Sequence, residues 1–201
     1  TQWIETNKNE ALRVEGDADI APKYKSRLVA LGNDEKAEIR SDSPTADCEA
    51  FDLVCSFAAS KRLKIKSKDL ENGYFIGEKL IRILLLGQPR GGIPDDNVLP
   101  TDKLLAKVPI YGTRDAGQNF ELTTRDCLLG AGCVQGLISP CVYQHSEWKV
   151  ALFHHGDDFV VAGSRKGAAK ILEALQKVFV AKDRGTLGRE SGDLREIRCL
   201  N

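Results

Sequence analysis

The stretch Ala151–Ser164 constrains the fold of this chain more than any other. It reads Ala-Leu-Phe-His-His-Gly-Asp-Asp-Phe-Val-Val-Ala-Gly-Ser: two apolar runs, rich in aromatic and β-branched residues, around Gly156-Asp157-Asp158. That pattern predicts a β-hairpin with two carboxylates at its tip. Gly-Asp-Asp is good turn chemistry in its own right. Neighbouring acids also repel each other, and a divalent cation would favour the pair, because hard cations take carboxylate oxygens. A third acid upstream decides between the two readings.

The residues before the hairpin supply that acid. Lys61–Lys68 alternates lysines with Leu63, Ile65 and Ser67, which predicts a strand running into Asp69. Asp69–Glu78 turns away with two glycines and an aromatic pair, Ile83–Leu86 reads as a short buried strand, and Gln88–Asp96 as a loop. A helix is expected from about Asp115, with Phe120, Thr124, Cys127, Leu128 and Ala131 on one face. Val142-Tyr143 and Trp148–Leu152 are strands leading into the hairpin. Beyond it, Ser164 caps a helix whose Ala168, Ile171, Leu172, Leu175, Val178 and Phe179 recur at helical spacing. Ile197–Leu200 is expected as a last edge strand. Upstream of all this, residues 1–20 read as a loosely held polar lead-in, and Pro22–Gly32 as a strand with one cationic face. Ser43-Pro44 starts a helix to about Ser60, with Phe51, Val54, Cys55 and Ala58 on one stripe.

From Ile65 onward, setting aside the short 83–86 strand, the order is strand, helix, hairpin, helix, strand. This is an α+β pattern, the β-α-β-β-α-β succession of the ferredoxin-like split fold, with an antiparallel sheet and helices on one face. That topology lays the first strand beside the hairpin and brings Asp69 near Asp157 and Asp158. Three carboxylates at one sheet edge are poor for stability. They suit a two-metal site that clamps the attacking and leaving oxygens of a phosphoryl transfer.

Composition narrows the setting. The 201 residues are 42% apolar and 29% charged, as in an ordinary globular protein of one domain, 1–201, with room for lobes. No apolar run is long enough for a membrane span, and no secretory signal opens the chain. Six cysteines without a Cys-x-x-Cys pair are expected as reduced thiols in an intracellular protein. The net charge of zero means that any nucleic-acid partner would need a local basic stripe, for which Lys23, Lys25, Arg27 and the lysines of 61–68 are the candidates. The absence of methionine suggests a piece of a longer product.

Five motifs then come in order: Tyr24-Lys25-Ser26-Arg27-Leu28-Val29-Ala30, Ser43-Pro44-Thr45, Asp69-x-x-Asn72-x-Tyr74-Phe75-x-Gly77-Glu78, Val108-x-Ile110-Tyr111-Gly112-x-x-Asp115-Ala116, and Asp157-Asp158-x-x-Val161-Ala162-Gly163-Ser164. Together they resemble the reverse transcriptase domain of copia-type long-terminal-repeat retrotransposon polyproteins, from about Trp3 to Asn201. The resemblance implies a polymerase palm over about 63–201, a small fingers-like part over about 20–62, and no thumb. It implies an RNA-directed DNA polymerase that extends a primer with dNTPs on an RNA or DNA template, using two Mg²⁺ ions, with Mn²⁺ possible. Asp69, Asp157 and Asp158 would be the catalytic, metal-binding acids. Lys182 resembles a late lysine that protonates the pyrophosphate leaving group. Tyr74 resembles the gate against a 2′-hydroxyl, with Phe75 beside it. Lys25 and Arg27 resemble the cations that hold the triphosphate, without a choice between them. Tyr111, Gly112 and Gln118 fall in the template- and primer-gripping stretch. The partners implied are primer–template, dNTPs and the thumb, RNase H and integrase segments of a parent polyprotein, in a cytoplasmic particle or nucleus and with no membrane. The alternative is a truncated, catalytically inactive remnant that folds and at most binds nucleic acid.

Overall fold

The computed structural model describes residues 1–7, 21–34, 43–44, 48–71, 73–76, 82–93 and 95–197. The chain forms two compact units, Thr1–Arg40 with Lys79–Ala116, and Ser41–Glu78 with Gly117–Asn201. The fingers-like part expected at about 20–62 is therefore divided between them at residues 40 and 41.

In the first unit, β1 (Gln2–Asn7) pairs antiparallel with β2 (Tyr24–Val29), and β4 (Leu84–Leu86) with β5 (Leu104–Ala106). The polar lead-in is thus corrected over residues 2–7. Gln2-Trp3-Ile4-Glu5-Thr6 carries enough aromatic and β-branched content for a strand once β2 offers a ladder. Thr1 Oγ1 donates to the Gly87 carbonyl at 2.6 Å, and Arg82 reaches both carboxylate oxygens of Asp115 at 3.2 Å. A forked guanidinium matches a carboxylate in that bidentate way.

The second unit is mixed α+β. It contains α1 (Cys48–Ser60), β3 (Lys64–Glu71), nearly all of α2 (Ala116–Gly130), β6 (Val134–Gln135), β7 (Val142–His145), β8 (Val150–His155), β9 (Asp158–Gly163), α3 (Arg165–Gln176) and β10 (Val180–Leu187). These strands form one six-stranded antiparallel sheet in the order β10-β3-β9-β8-β7-β6. The expected last strand at Ile197–Leu200 falls almost wholly outside the described residues. Val180–Leu187 takes the place beside β3.

Successive strand residues point to opposite faces, and the core divides accordingly. Leu152, Phe159, Val161 and Leu70 pack with Phe120 and Leu128 of α2 and with Ala168, Ile171 and Leu175 of α3. Phe153, Val160 and Ala162 pack with Ala50, Val54 and Ala58 of α1. α2 and α3, the two helices expected beyond Ile65, thus lie together on one face, and α1, from the stretch read as fingers-like, covers the other. β9 needs cover on both sides, because Phe159-Val160-Val161-Ala162 is apolar without alternation. At the start of α3, Ser164 accepts a hydrogen bond from Gly167 N at 3.0 Å, as an N-cap should.

Ile171 is completely buried between α3 and the sheet. Ile171→Ala should cost about 2–5 kcal/mol of unfolding free energy, the range for truncating a buried aliphatic. Urea unfolding followed by circular dichroism measures this. A loss below about 1 kcal/mol would show that α3 is not part of the core.

Candidate active site

The hairpin turn is shorter than the sequence suggests. β8 ends at His155 and β9 begins at Asp158, so Gly156 and Asp157 are the whole loop and Asp158 is already a ladder residue opposite His155. Gly156 has φ +56°, a conformation open to glycine at little cost, while Asp157 has no positive φ. Two-residue hairpins use glycine first in this way because its backbone follows the strand twist. The glycine thus sets the turn that aims the acids.

Asp158 also faces β3, where Asp69 lies directly opposite it. Asp157 is anchored by its backbone instead, its carbonyl accepting from Leu70 N at 2.9 Å. The third acid and the hairpin acids are therefore neighbours, and Asp158 is the one across from Asp69. By strand alternation this pair projects on the α1 face of the sheet, with Glu71 one position further along.

Two cations from β10 meet the acids. Lys182 lies opposite Asp69 in register but pairs its ammonium with Glu71. Arg184 places one guanidinium nitrogen 3.2 Å from Asp69 Oδ1 and the other 3.1 Å from Asp158 Oδ1. Burial pushes the Asp158 carboxyl above its ordinary value. Arg184 opposes that shift, and the negative charges of Asp157 and Asp69 add to it. Asp158 Oδ1 is buried and accepts no hydrogen bond, so the guanidinium meets it as a charge.

The opposite face carries its own polar layer. Lys68 is almost fully buried and pairs with Asp183, and Lys64 pairs with Glu190 at 2.6 Å and Asp193 at 2.7 Å. The basic stripe expected at 61–68 is corrected at both lysines, whose ammonium groups are engaged by Asp183, Glu190 and Asp193. Burial alone would raise the Asp183 carboxyl, but the Lys68 ammonium and the Gly185 N–H bring it below its ordinary value. His154 is buried, stacked on Phe159 with centroids 5.0 Å apart and with Nε2 3.5 Å from Glu121 Oε2. It is a core histidine on the face away from the acids.

The remaining expected residues fall in both units. Tyr74 lies in the 3₁₀ turn Gly73–Phe75 after β3, and Phe75 is partly exposed there. Gly73 packs under the Phe120 ring, which an added Cβ would strike. Gln118 is in the first turn of α2. Lys25, Arg27, Tyr111 and Gly112 belong to the first unit. There the Arg27 guanidinium lies 5.2 Å from the Tyr111 ring centroid, a cation–π contact, and Tyr111 O accepts from Ala30 N at 2.7 Å. Gly112 has φ +83° and abuts the Ala30 carbonyl. Asn72, Gly77, Glu78 and Thr45 lie outside the described residues.

Among the described residues, no three His, Cys, Asp or Glu side chains are gathered around one point for a metal ion. The donor chemistry nonetheless fits a hard divalent cation. Asp69 and Asp158 converge on one positively charged group, and Asp158 offers a buried oxygen without a hydrogen bond. Glu71 and Arg184 are the site residues that sequence reasoning misses. The signal for Arg184 is the Asp183-Arg184-Gly185 run, in which a glycine after two charges marks a β-bulge.

No protein-family model matches this chain, and no curated protein matches it. No helix among the described residues is long and apolar enough to cross a membrane.

Two changes test this geometry. Gly156→Val should destabilise the chain by about 1–2 kcal/mol, since a β-branched residue is forced into a left-handed conformation. Gly156→Asn should cost less, and equal losses in chemical denaturation would refute the turn assignment. Asp158 has a raised carboxyl, so its contribution is fully present below the ordinary value of 3.8 and is lost as pH rises through the folded value. Asp158→Asn should therefore raise the melting temperature at pH 7, and the gain should vanish near pH 3, where wild type carries a neutral acid too. A gain that grows as pH falls would overturn the assignment.

Proposed function

We propose that this chain is the fingers-and-palm part of a reverse transcriptase of the copia-type retrotransposon kind, an RNA-directed DNA polymerase extending a primer with dNTPs. The observation that carries this reading is the cross-strand pair Asp69–Asp158 with Asp157 in the adjoining turn. A sheet that spends a rung of an interior ladder on two facing carboxylates gives up stability for chemistry. The strand order β10-β3-β9-β8, with α2 and α3 together on one face, supports a ferredoxin-like palm as the scaffold.

In this reading Asp69, Asp157 and Asp158 hold two Mg²⁺ ions, which when bound neutralise charge on the attacking and leaving oxygens of phosphoryl transfer. Lys182, largely exposed and paired with Glu71, hands its proton to the departing pyrophosphate. Tyr74, just beyond the end of β3, meets the sugar and excludes a 2′-hydroxyl. Lys25 and Arg27 hold the incoming triphosphate. Tyr111, Gly112 and Gln118 bear on the template and primer, an RNA or a DNA. The second reading, a remnant that folds and at most binds nucleic acid, is favoured by one specific observation: Arg184 already engages both facing acids.

Extension of a labelled primer on an RNA template separates the two. With Mg²⁺ or Mn²⁺ the chain, joined to a polymerase thumb, should add dNTPs, and Asp69→Asn should lower the rate at least about 100-fold, as for loss of a preorganised electrostatic group. The variant should fold as wild type does. A folded chain that binds primer–template yet extends nothing with either ion would leave the remnant reading standing.

A further inference from the structure

We infer that Arg184 is a built-in counter-cation occupying the divalent-cation position between Asp69 and Asp158, so that an ion enters only as the guanidinium leaves. This rests on the polymerase reading for the identity of the ion, and on the following geometry for everything else. Asp183 pairs with Lys68 and Gly185 with Ser67, which leaves Arg184 as the extra residue of a β-bulge in β10. The bulge is a committed local structure: Gly185 has φ +120°, and Gly185 N donates to Asp183 Oδ1 at 2.9 Å. A bulge re-aims the side chain of its extra residue. Here that side chain spans the Asp69–Asp158 rung, one guanidinium nitrogen on each carboxylate.

The contact is built to be exchanged. Arg184 has no ladder partner of its own and is about one-third exposed, so its side chain can swing into water without disturbing β10. Asp158 Oδ1 takes no hydrogen bond and loses only a charge when the guanidinium departs. Lys182, directly opposite Asp69, is engaged with Glu71, which leaves Arg184 as the cation that meets both acids among the described residues. A chain in which the competent state is one fraction of the population binds its ion more weakly by that fraction. Arg184 thereby sets the cation concentration at which the site fills.

Titration of the full chain with Mn²⁺, reading free ion by electron paramagnetic resonance, tests this without any turnover. Arg184→Leu should bind Mn²⁺ at least about fivefold more tightly than wild type, the low end of ordinary coupling between two sites. Arg184→Lys, which keeps one charge but cannot fork, should fall between them, and it keeps the comparison valid if the leucine variant fails to fold. Asp158→Asn should weaken binding in every background. Equal or weaker Mn²⁺ affinity in a folded Arg184 variant overturns the inference, even where primer extension succeeds. Tighter binding without extension upholds it and sinks the polymerase reading alone. No Mn²⁺ binding by any of the chains overturns it and removes the metal from the proposed function as well.

Discussion

Two carboxylates face each other across the β3–β9 ladder, and much of the second unit serves to keep them there. Unit charges of like sign about 4 Å apart repel by about 4 kcal/mol at the dielectric typical near a protein surface. Against this, fully burying one large apolar side chain contributes about 1.5–3 kcal/mol. Next to Asp158 the chain buries Phe159, Val160, Val161 and Ala162 in succession. The burial outweighs the repulsion, but only because β9 is covered on both faces. That is the role of α1 on one side and of α2 and α3 on the other. Arg184 removes much of the remaining repulsion, and the balance leaves Asp158 reluctant to ionise.

The same pair of strands carries opposite electrostatic tasks on its two faces. Lys68 points toward α2 and α3 and would be a costly buried ammonium alone, so Asp183 meets it. One residue later Arg184 emerges on the other side, where acids need a cation. The bulge at Asp183–Gly185 separates the tasks: it holds Asp183 opposite Lys68 and releases Arg184 from the ladder. A regular β10 would place residue 184 opposite Ser67, further from the acid rung.

How much of this could be read beforehand follows from how local each signal is. The hairpin was legible from an apolar run on either side of a turn signal, and α2 and α3 because Phe120–Leu128 and Ala168–Leu175 carry a helical period, α3 with Ser164 as its cap. The neighbourhood of Asp69 and the hairpin acids was legible from element order alone. β10 was not, since Val180-Ala181-Lys182-Asp183-Arg184-Gly185 reads as a polar tail, and its charges make sense only beside β3. Lys68 misled for the same reason. A lysine alternating with apolar residues looks solvated until a distant aspartate closes over it. β1 was hidden by its polar neighbours, its pairing being supplied wholly by β2.

Gly156 illustrates how a local rule and a functional site come together. From sequence Gly-Asp-Asp reads only as good turn chemistry. The φ of +56° at Gly156 gives it a second role, since a side chain there would strain the two-residue loop that presents Asp158 opposite Asp69. A slip of β9 by one position against β3 would cost the site far more than strain in the turn. Such a slip exchanges the two faces of a strand. Asp158 would then point toward α2 and α3, where Lys68 and Asp183 already pair, and Phe159 would face α1. The apolar run of β9 could bear that exchange, because it is buried on both sides, whereas the acid pair could not. Register in this sheet is therefore specified less by hydrophobicity than by the turn glycine and the bulge, and both of these devices lie within reach of the carboxylates they place.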